Sequence, residues 1–200
     1  MNEPADKTRR FYTYKDYLRW PAHERWEIID GVPFNMTPAP STNHQRVLGE
    51  LFSAIKLYLK GKPCEVFVAP FDVRLPRSSE NEEDTSTVVQ PDLTIICDPH
   101  KIDRRGCQGS PDLVIEITSP STLPKDMKHK LIRYEEAGIP EYWIVHPEGK
   151  TVLVYQMSED GKYERPRIYT GDDRLSSSIF PDLELNLQEI FSVISDEDLA

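Results

Sequence analysis

The sequence predicts an α/β fold, a mixed central sheet flanked by helices, and three observations carry that reading. Two short β-branched runs, V-V-Q-P-D-L-T-I-I-C from Val88 and S-P-D-L-V-I-E-I-T from Ser110, are each opened by Pro-Asp and bounded by turn residues, as neighbouring strands are. A long segment beginning at Ser41 repeats Val47, Leu48, Leu51, Phe52, Ile55, Tyr58 and Leu59 at helical spacing and ends near Gly61. A second helical pattern, Lys125 to Ala137, follows the paired runs, with Met127, Leu131 and Tyr134 along one side and Gly138 as its stop.

The remaining elements follow in chain order. The first ten residues are polar, and disorder is expected there; a single domain is expected over residues 11–195. Thr13 is placed to cap a short helix, Tyr14 to Trp20, with Asp16 three residues on and Pro21 after it. Arg25 to Asn35 reads as a strand pair turning at Asp30-Gly31. Ser41 caps the long helix. Glu65 to Leu75 reads as a strand broken or bulged at Pro70, with Asp72 and Arg74 on one face as an exposed pair. Residues 76–87 form an acidic loop, expected to be mobile and to face solvent. A basic, turn-rich link joins the two central runs, and a turn over 119–124 leads into the second helix. Glu141 to Val145, Thr151 to Gln156 and Lys162 to Tyr169 read as further strands, and Leu185 to Ile194 closes the domain with a short helix.

Composition narrows the class. Two hundred residues, 38% hydrophobic and 29% charged, suit one soluble domain with a sizeable core. No apolar run approaches a membrane span and the N-terminus lacks a signal-peptide core, so a cytoplasmic protein is expected. Cys64, Cys97 and Cys107 are odd in number without C-x-x-C spacing and read as buried thiols. The net charge of −10 opposes simple nucleic-acid binding. However, residues 78–86 hold four acids and residues 181–200 hold six, with no base in either, so the rest of the chain is formally neutral. Lys101, Arg104, Arg105, Lys125, Lys128, Lys130 and Arg133 can then line a basic groove or make up a solvated basic face. A Gly-rich phosphate loop, a His-rich tract and a Gly-x-Ser-x-Gly elbow are all absent, which removes nucleotide-dependent, zinc-hydrolase and serine-esterase readings.

The central runs hold the chemistry. Asp112, Val114 and Glu116 share one strand face, and a carboxylate set between Ile115 and Ile117 is costly to bury without a cation or donor. Asp92 at the mouth of the first strand and Glu116 within the second are candidate oxygen ligands for one magnesium or manganese ion, because hard cations use few carboxylates and keep waters. Lys130 borders the apolar stripe of the following helix, whereas Lys128 points away from it. Acid, acid and lysine on such a frame suit metal-assisted phosphodiester hydrolysis. The same residues also fit a Glu116–Lys130 ion pair with Asp92 as a strand cap. His44, in the first turn of the long helix, is a candidate substrate contact or a structural histidine.

Ordered blocks then bring in a resemblance: Y12-T-Y-K-D-Y-L, R25-W-E-I-I-D-G, P38-A-P-S-T-N-H-Q-R, V66-F-V-A-P-F-D-V-R-L, V89-Q-P-D-L, G109-S-P-D-L-V-I-E-I-T-S-P-S-T and Y134-E-E-A-G-I-P-E-Y-W-I-V. Together they resemble the Uma-two family of restriction-endonuclease-like proteins, in the PD-(D/E)XK nuclease superfamily, over about Phe11 to Tyr155. The resemblance implies a nuclease core with Glu27, Asp92 and Glu116 as the acidic residues and Lys130 as the lysine. In the parent motif the lysine stands two residues after the acid, a position held here by Thr118, so it must come from the helix. The expected function is metal-dependent cleavage of nucleic acid, DNA foremost, with Lys128 and His44 touching substrate. The alternative is a catalytically silent accessory module of the same fold. A homodimer is expected, paired through an apolar strand such as Val152–Tyr155.

Overall fold

The computed structural model describes residues 11–21, 23–36, 39–118 and 126–195. The first ten residues, the turn over 119–124 and Lys125 lie outside that description.

Strand β9 (Leu113–Ile117) is the axis of the fold, and each of its five residues is buried. Burial of both faces is what lets Leu113, Ile115 and Ile117 on one side coexist with Val114 on the other. Strand β10 (Glu141–His146) runs parallel to β9, while β6 (Leu93–Ile96) pairs with it antiparallel. β11 (Thr151–Gln156) and β12 (Arg167–Thr170) extend the sheet beyond β10, and β3 (Glu65–Val68) closes it beyond β6. The mixed central sheet therefore runs β12-β11-β10-β9-β6-β3. Strand β11 is flanked on both sides, so the expected pairing of Val152–Tyr155 across a two-fold axis has no open edge to use.

A second six-stranded sheet, ordered β2-β1-β5-β4-β8-β7, was not foreseen as a separate layer. It comprises β1 (Trp26–Ile29), β2 (Val32–Asn35), β4 (Val73–Arg74), β5 (Val88–Val89), β7 (Ile102–Asp103) and β8 (Gly106–Gln108). The expected break near Pro70 is where the chain leaves β3 of the first sheet for β4 of the second, and the Ala69–Pro70 bond there is cis. The basic link is itself a hairpin, β7–β8. Asp30 and Gly31, at φ 49° and 76°, make the turn between β1 and β2.

Helix α1 (Tyr14–Tyr17) carries the Thr13 cap with Asp16 at N3, and is shorter than its sequence pattern. Helix α2 (Thr42–Tyr58) begins at the expected Ser41, whose side chain accepts from His44 N. Its stripe of Val47, Leu51 and Ile55 packs on Leu93, Ile95, Leu113 and Ile115 of the central sheet. Asp126–Lys130 form one π-helical turn that runs into α3 (Leu131–Ala137), and Gly138 stops it at φ 77°. Tyr134 of α3 packs on the opposite face with Val114, Tyr142 and Ile144, joined by Ile29, Val73 and Val89 of the second sheet. Near the C-terminus, β13 (Arg174–Ser176) pairs with β14 (Glu184–Asn186) before α4 (Leu187–Phe191), so the closing helix is shorter than expected and preceded by a hairpin.

Three local readings need correction. Arg74 is fully buried rather than exposed, and it pairs with Glu82 and Asp103, not with Asp72. The acidic loop is fastened: Glu82 reaches Arg74, Glu80 accepts from Ser86, and Thr85, Ser86 and Thr87 are buried. Cys64 and Cys97 are joined in a disulfide, because β3 and β6 pair with Glu65 opposite Ile96 and so set the next residues outward face to face. Cys107 alone is the buried thiol expected, its pKa pushed up to about 12 by burial.

The disulfide yields a prediction. Denatured, unreduced protein should expose one titratable thiol, and three after reduction. A loop closed between residues 33 apart should stabilise the fold by about 2–4 kcal/mol, read as a lower urea midpoint for reduced protein or Cys64→Ser. Three reactive thiols without reductant would contradict the pairing.

Candidate active site

The acidic residues and the lysine come from elements far apart in sequence. Glu27 on β1, Glu116 on β9 and Lys130 at the end of the π-helical turn meet between the two sheets. Lys130 Nζ lies 2.7 Å from Glu27 Oε1 and 2.7 Å from Glu116 Oε1. All three are buried, at 0%, 5% and 1% exposure respectively for Glu27, Glu116 and Lys130. Further donors fix the carboxylates: Tyr134 OH donates to Glu116 Oε1 at 2.8 Å, and Gln90 N donates to Glu27 Oε1 at 3.0 Å. Carboxylates at this depth are tolerable only because a cation and neutral donors replace water.

Asp92 stands just before β6, turned toward the N-terminus of α2. Its Oδ2 accepts from Ile117 N at 2.7 Å and lies 3.2 Å from His44 Nε2. Both contacts fall on Oδ2, which leaves Oδ1 with no hydrogen bond among the described residues. The β6–β9 register, Leu93 opposite Ile115, sets Asp92 beside the Glu116–Ile117 end of β9. The two groups therefore adjoin through consecutive residues: Glu116 faces Lys130 and Tyr134, and the Ile117 amide holds Asp92. Thr118, at the parent lysine position, is buried, and its hydroxyl donates to Val145 O.

Among the six residues singled out in the sequence, Glu27, Glu116 and Lys130 are in direct contact, and Asp92 and His44 are in contact with one another. Lys128 is exposed on the same π-helical turn, two residues from the buried Lys130. Gln90 and Tyr134 also support the site but were not singled out. Tyr134 was legible only as part of an apolar stripe, and Gln90 only by standing two residues before Asp92.

A magnesium or manganese ion is implied by the chemistry of such a site. Among the described residues no group of three or more His, Cys, Asp or Glu is arranged to hold a metal ion. Two carboxylates with water fit magnesium nonetheless, since it is bound through one or two carboxylates and keeps most of its waters. The Asp92 Oδ1 left open and a carboxylate oxygen of Glu116, the next residue to the Ile117 amide that holds Asp92, are the hard-oxygen donors that would hold such an ion.

With this geometry in place, comparison with known proteins is informative. A family model, Uma2, described as "Putative restriction endonuclease", matches residues 14–188. The chain belongs to the Uma2 family. A protein of Synechocystis sp., slr1290, called uncharacterized, is 27% identical over 166 residues, covering 80% of this chain and 82% of its own. A crystal structure from Anabaena variabilis, titled a putative nuclease belonging to DUF820, superposes with a TM-score of 0.72. It shares 19% identity and covers 90% of this chain and 98% of its own, so it shows that the fold is shared. Membership in Uma2 agrees with the resemblance read from the ordered sequence blocks. No helix among the described residues is long and apolar enough to cross a membrane.

The buried cluster predicts an asymmetry between two neighbouring lysines. Lys130→Ala leaves Glu27 and Glu116 buried without their ammonium and should cost about 3–5 kcal/mol of stability. Lys128→Ala, at an exposed position, should stay within about 0.5 kcal/mol of the parent. Chemical denaturation of both variants reads this directly, and equal midpoints would contradict the ion-pair account.

Proposed function

We propose that this protein is a metal-dependent nuclease that hydrolyses phosphodiester bonds of nucleic acid, DNA foremost. The observation that carries the proposal is the Lys130 ammonium fixed between Glu27 and Glu116, beside an Asp92 carboxylate with one oxygen open. Family membership supports the reaction class, and a shared fold alone would not.

Asp92 and Glu116 would hold magnesium or manganese, which supplies a bound water of lowered pKa and a counter-charge for the phosphate. The chain's own residues do the rest. His44 and the Ile117 amide fix the orientation of Asp92, so its remaining oxygen is preset. Glu27, placed by the Gln90 amide, is a second carboxylate on Lys130 beside Glu116. The ammonium is thereby held rigid, ready to orient the attacking water or to stabilise charge developing on the phosphate, as preset dipoles and charges do best. Exposed Lys128 is placed to meet a backbone phosphate. We further propose a homodimer, so that both strands of a duplex can be cut. Its β12 edge, with Ile168 65% exposed, has no strand beyond it among the described residues and would serve for pairing. A cytoplasmic location would give access to such substrates.

The test is nicking of supercoiled plasmid and cleavage of single-stranded DNA and RNA with manganese across pH 6 to 9. Lys130→Ala, assayed where circular dichroism shows it folded, should lose about 100- to 1000-fold in rate, the cost of one electrostatic donor. Asp92→Ala should lose both turnover and the manganese binding seen by calorimetry. Lys128→Ala should keep turnover and bind substrate more weakly as salt rises. Wild-type protein that binds manganese but cuts none of these substrates would favour a silent accessory module. Light scattering that gives monomer mass at micromolar concentration would remove the dimer.

A further inference from the structure

Gln90 has two hydrogen-bonding faces, and the site described above uses only one. Its backbone N–H serves Glu27, while its side chain turns the other way, into a recess of about 320 Å³ on the second sheet. The recess is lined by Tyr17, Phe71, Asp72, Gln90, Arg104 and Arg105, among others. Its floor is an ordered polar relay. Arg25 donates to Gln90 Oε1 at 3.0 Å, which fixes the amide so that its Nε2 donates to Asp72 Oδ1 at 2.8 Å. Tyr17 OH donates to the same Oδ1 at 3.0 Å. Asp72 Oδ2 takes part in none of this and carries no hydrogen bond among the described residues. One wall is Phe71, stacked on Phe67 with ring centroids 4.2 Å apart. The rim carries Arg104 and Arg105, both exposed and neither in an ion pair among the described residues. Asp103, also on the rim, is already held by Arg74 and by the Arg105 amide.

An aromatic wall, a carboxylate acceptor at the floor and two guanidinium groups at the mouth are not what folding alone calls for. A half-buried carboxylate with one idle oxygen is expensive, and burial does push the Asp72 carboxyl above its ordinary range. These features match one nucleotide unit. A flat base packs on the ring, its N–H edge meets the acceptor, and its flanking phosphates meet the arginines. We propose that this recess binds an unpaired nucleotide of the nucleic-acid substrate and prefers a base with an exocyclic amino group. Asp72 Oδ2 accepts from that amino group, as carboxylates accept from cytosine N4. A keto oxygen at the same edge, as in uracil, meets the carboxylate acceptor to acceptor and is rejected. At about 320 Å³ the recess is at the small end of ligand clefts, which run to roughly 1,000 Å³, and suits one base rather than a duplex.

The inference rests on the nucleic-acid reading of the neighbouring site but not on its catalytic activity. The test is fluorescence anisotropy with labelled dC10 and dU10 in EDTA at pH 8, where nothing is cut. These oligomers differ only at the base edge in question. Wild-type protein should bind dC10 about tenfold more tightly than dU10. Asp72→Asn keeps an oxygen for Tyr17 and Gln90 but replaces the open acceptor with a donor, and should abolish or reverse the preference. The Arg104→Ala/Arg105→Ala double variant should weaken both oligomers alike. Its salt dependence should be shallower by about 0.7 per lost phosphate contact. Equal binding of the two oligomers by wild type, a preference that survives Asp72→Asn, or no binding at 100 µM (~10⁻⁴ M, the weak end of non-specific affinity) would each overturn the proposal. Plasmid nicking separates it from the catalytic reading. Preference without cleavage sinks the nuclease and spares the recess, and cleavage without preference does the reverse.

Discussion

A single ammonium buried between two carboxylates is the constraint that the rest of this structure serves. Lys130 binds Glu27 of the second sheet and Glu116 of the first, so it joins the two sheets as well as forming the candidate site. The three residues are at most 5% exposed, so the charges lack water and depend on one another. That dependence has a structural cost that explains the surroundings. Tyr134 hydroxyl and the Gln90 amide supply further donors, and each is itself packed into place by the Val114–Tyr142 layer or by strand β5. A buried ion pair of this kind is weak evidence for stability, since apolar residues of the same volume often do as well. Under the proposed function, its place at the junction of three elements gives a cation held at a defined point.

The second sheet follows the same rule of compensated charge. Arg74 is fully buried and satisfied by Glu82, Asp103 and the Cys107 carbonyl, which ties β4 to the acidic loop and to the β7–β8 hairpin. Arg133 donates to Thr87 and to the Leu75 carbonyl, which ties α3 to the same layer. Acidic residues that looked like a solvated loop are thus partly structural counter-ions. They also account for how a chain of net charge −10 can present Arg104 and Arg105, exposed and without an ion pair among the described residues, on a neighbouring rim. The negative charge is spent on buried cations and on the C-terminal stretch rather than spread over every face.

What the sequence revealed and what it hid divide along range. Ser41, Asp30-Gly31, Thr13 and Gly138 act within a few residues of themselves, so their chemistry is visible locally, and each does its expected work. The strands around Asp92 and Glu116 were legible because their apolar runs are short and bounded. Arg74 was misread because D-V-R-L alternation looks like an exposed face, and only residues 8 and 29 positions away supply the counter-charges that permit burial. The Cys64–Cys97 bond was invisible for the same reason: it depends on the β3–β6 register, which no local pattern encodes. The strand–turn–strand at 102–108 is too short for alternation to show. The site residues were legible as types and spacings, while their division into a Lys130 group and an Asp92 group needed the strand ends in three dimensions.

The position of the lysine shows why spacing and geometry part company. In the parent motif the lysine lies on the same strand face as the acid, two residues on, and here Thr118 occupies that place with its hydroxyl tied to Val145. A threonine there contributes no charge, so the strand alone cannot complete the site. The helix after β9 carries a lysine to the same acid: its π-helical turn ends at Lys130, one residue before α3 begins. A π turn widens the helix locally, and such turns are frequent at functional sites. It brings Lys130 to face inward beside the apolar stripe while Lys128 stays in solvent. Under the function proposed above, the site needs a cation at a fixed distance from its carboxylates, and Lys130 lies 2.7 Å from both. Which strand or helix the side chain starts from is secondary. The departure from the parent motif thus moves the positive charge from the strand to the helix and keeps it against the same acid, Glu116.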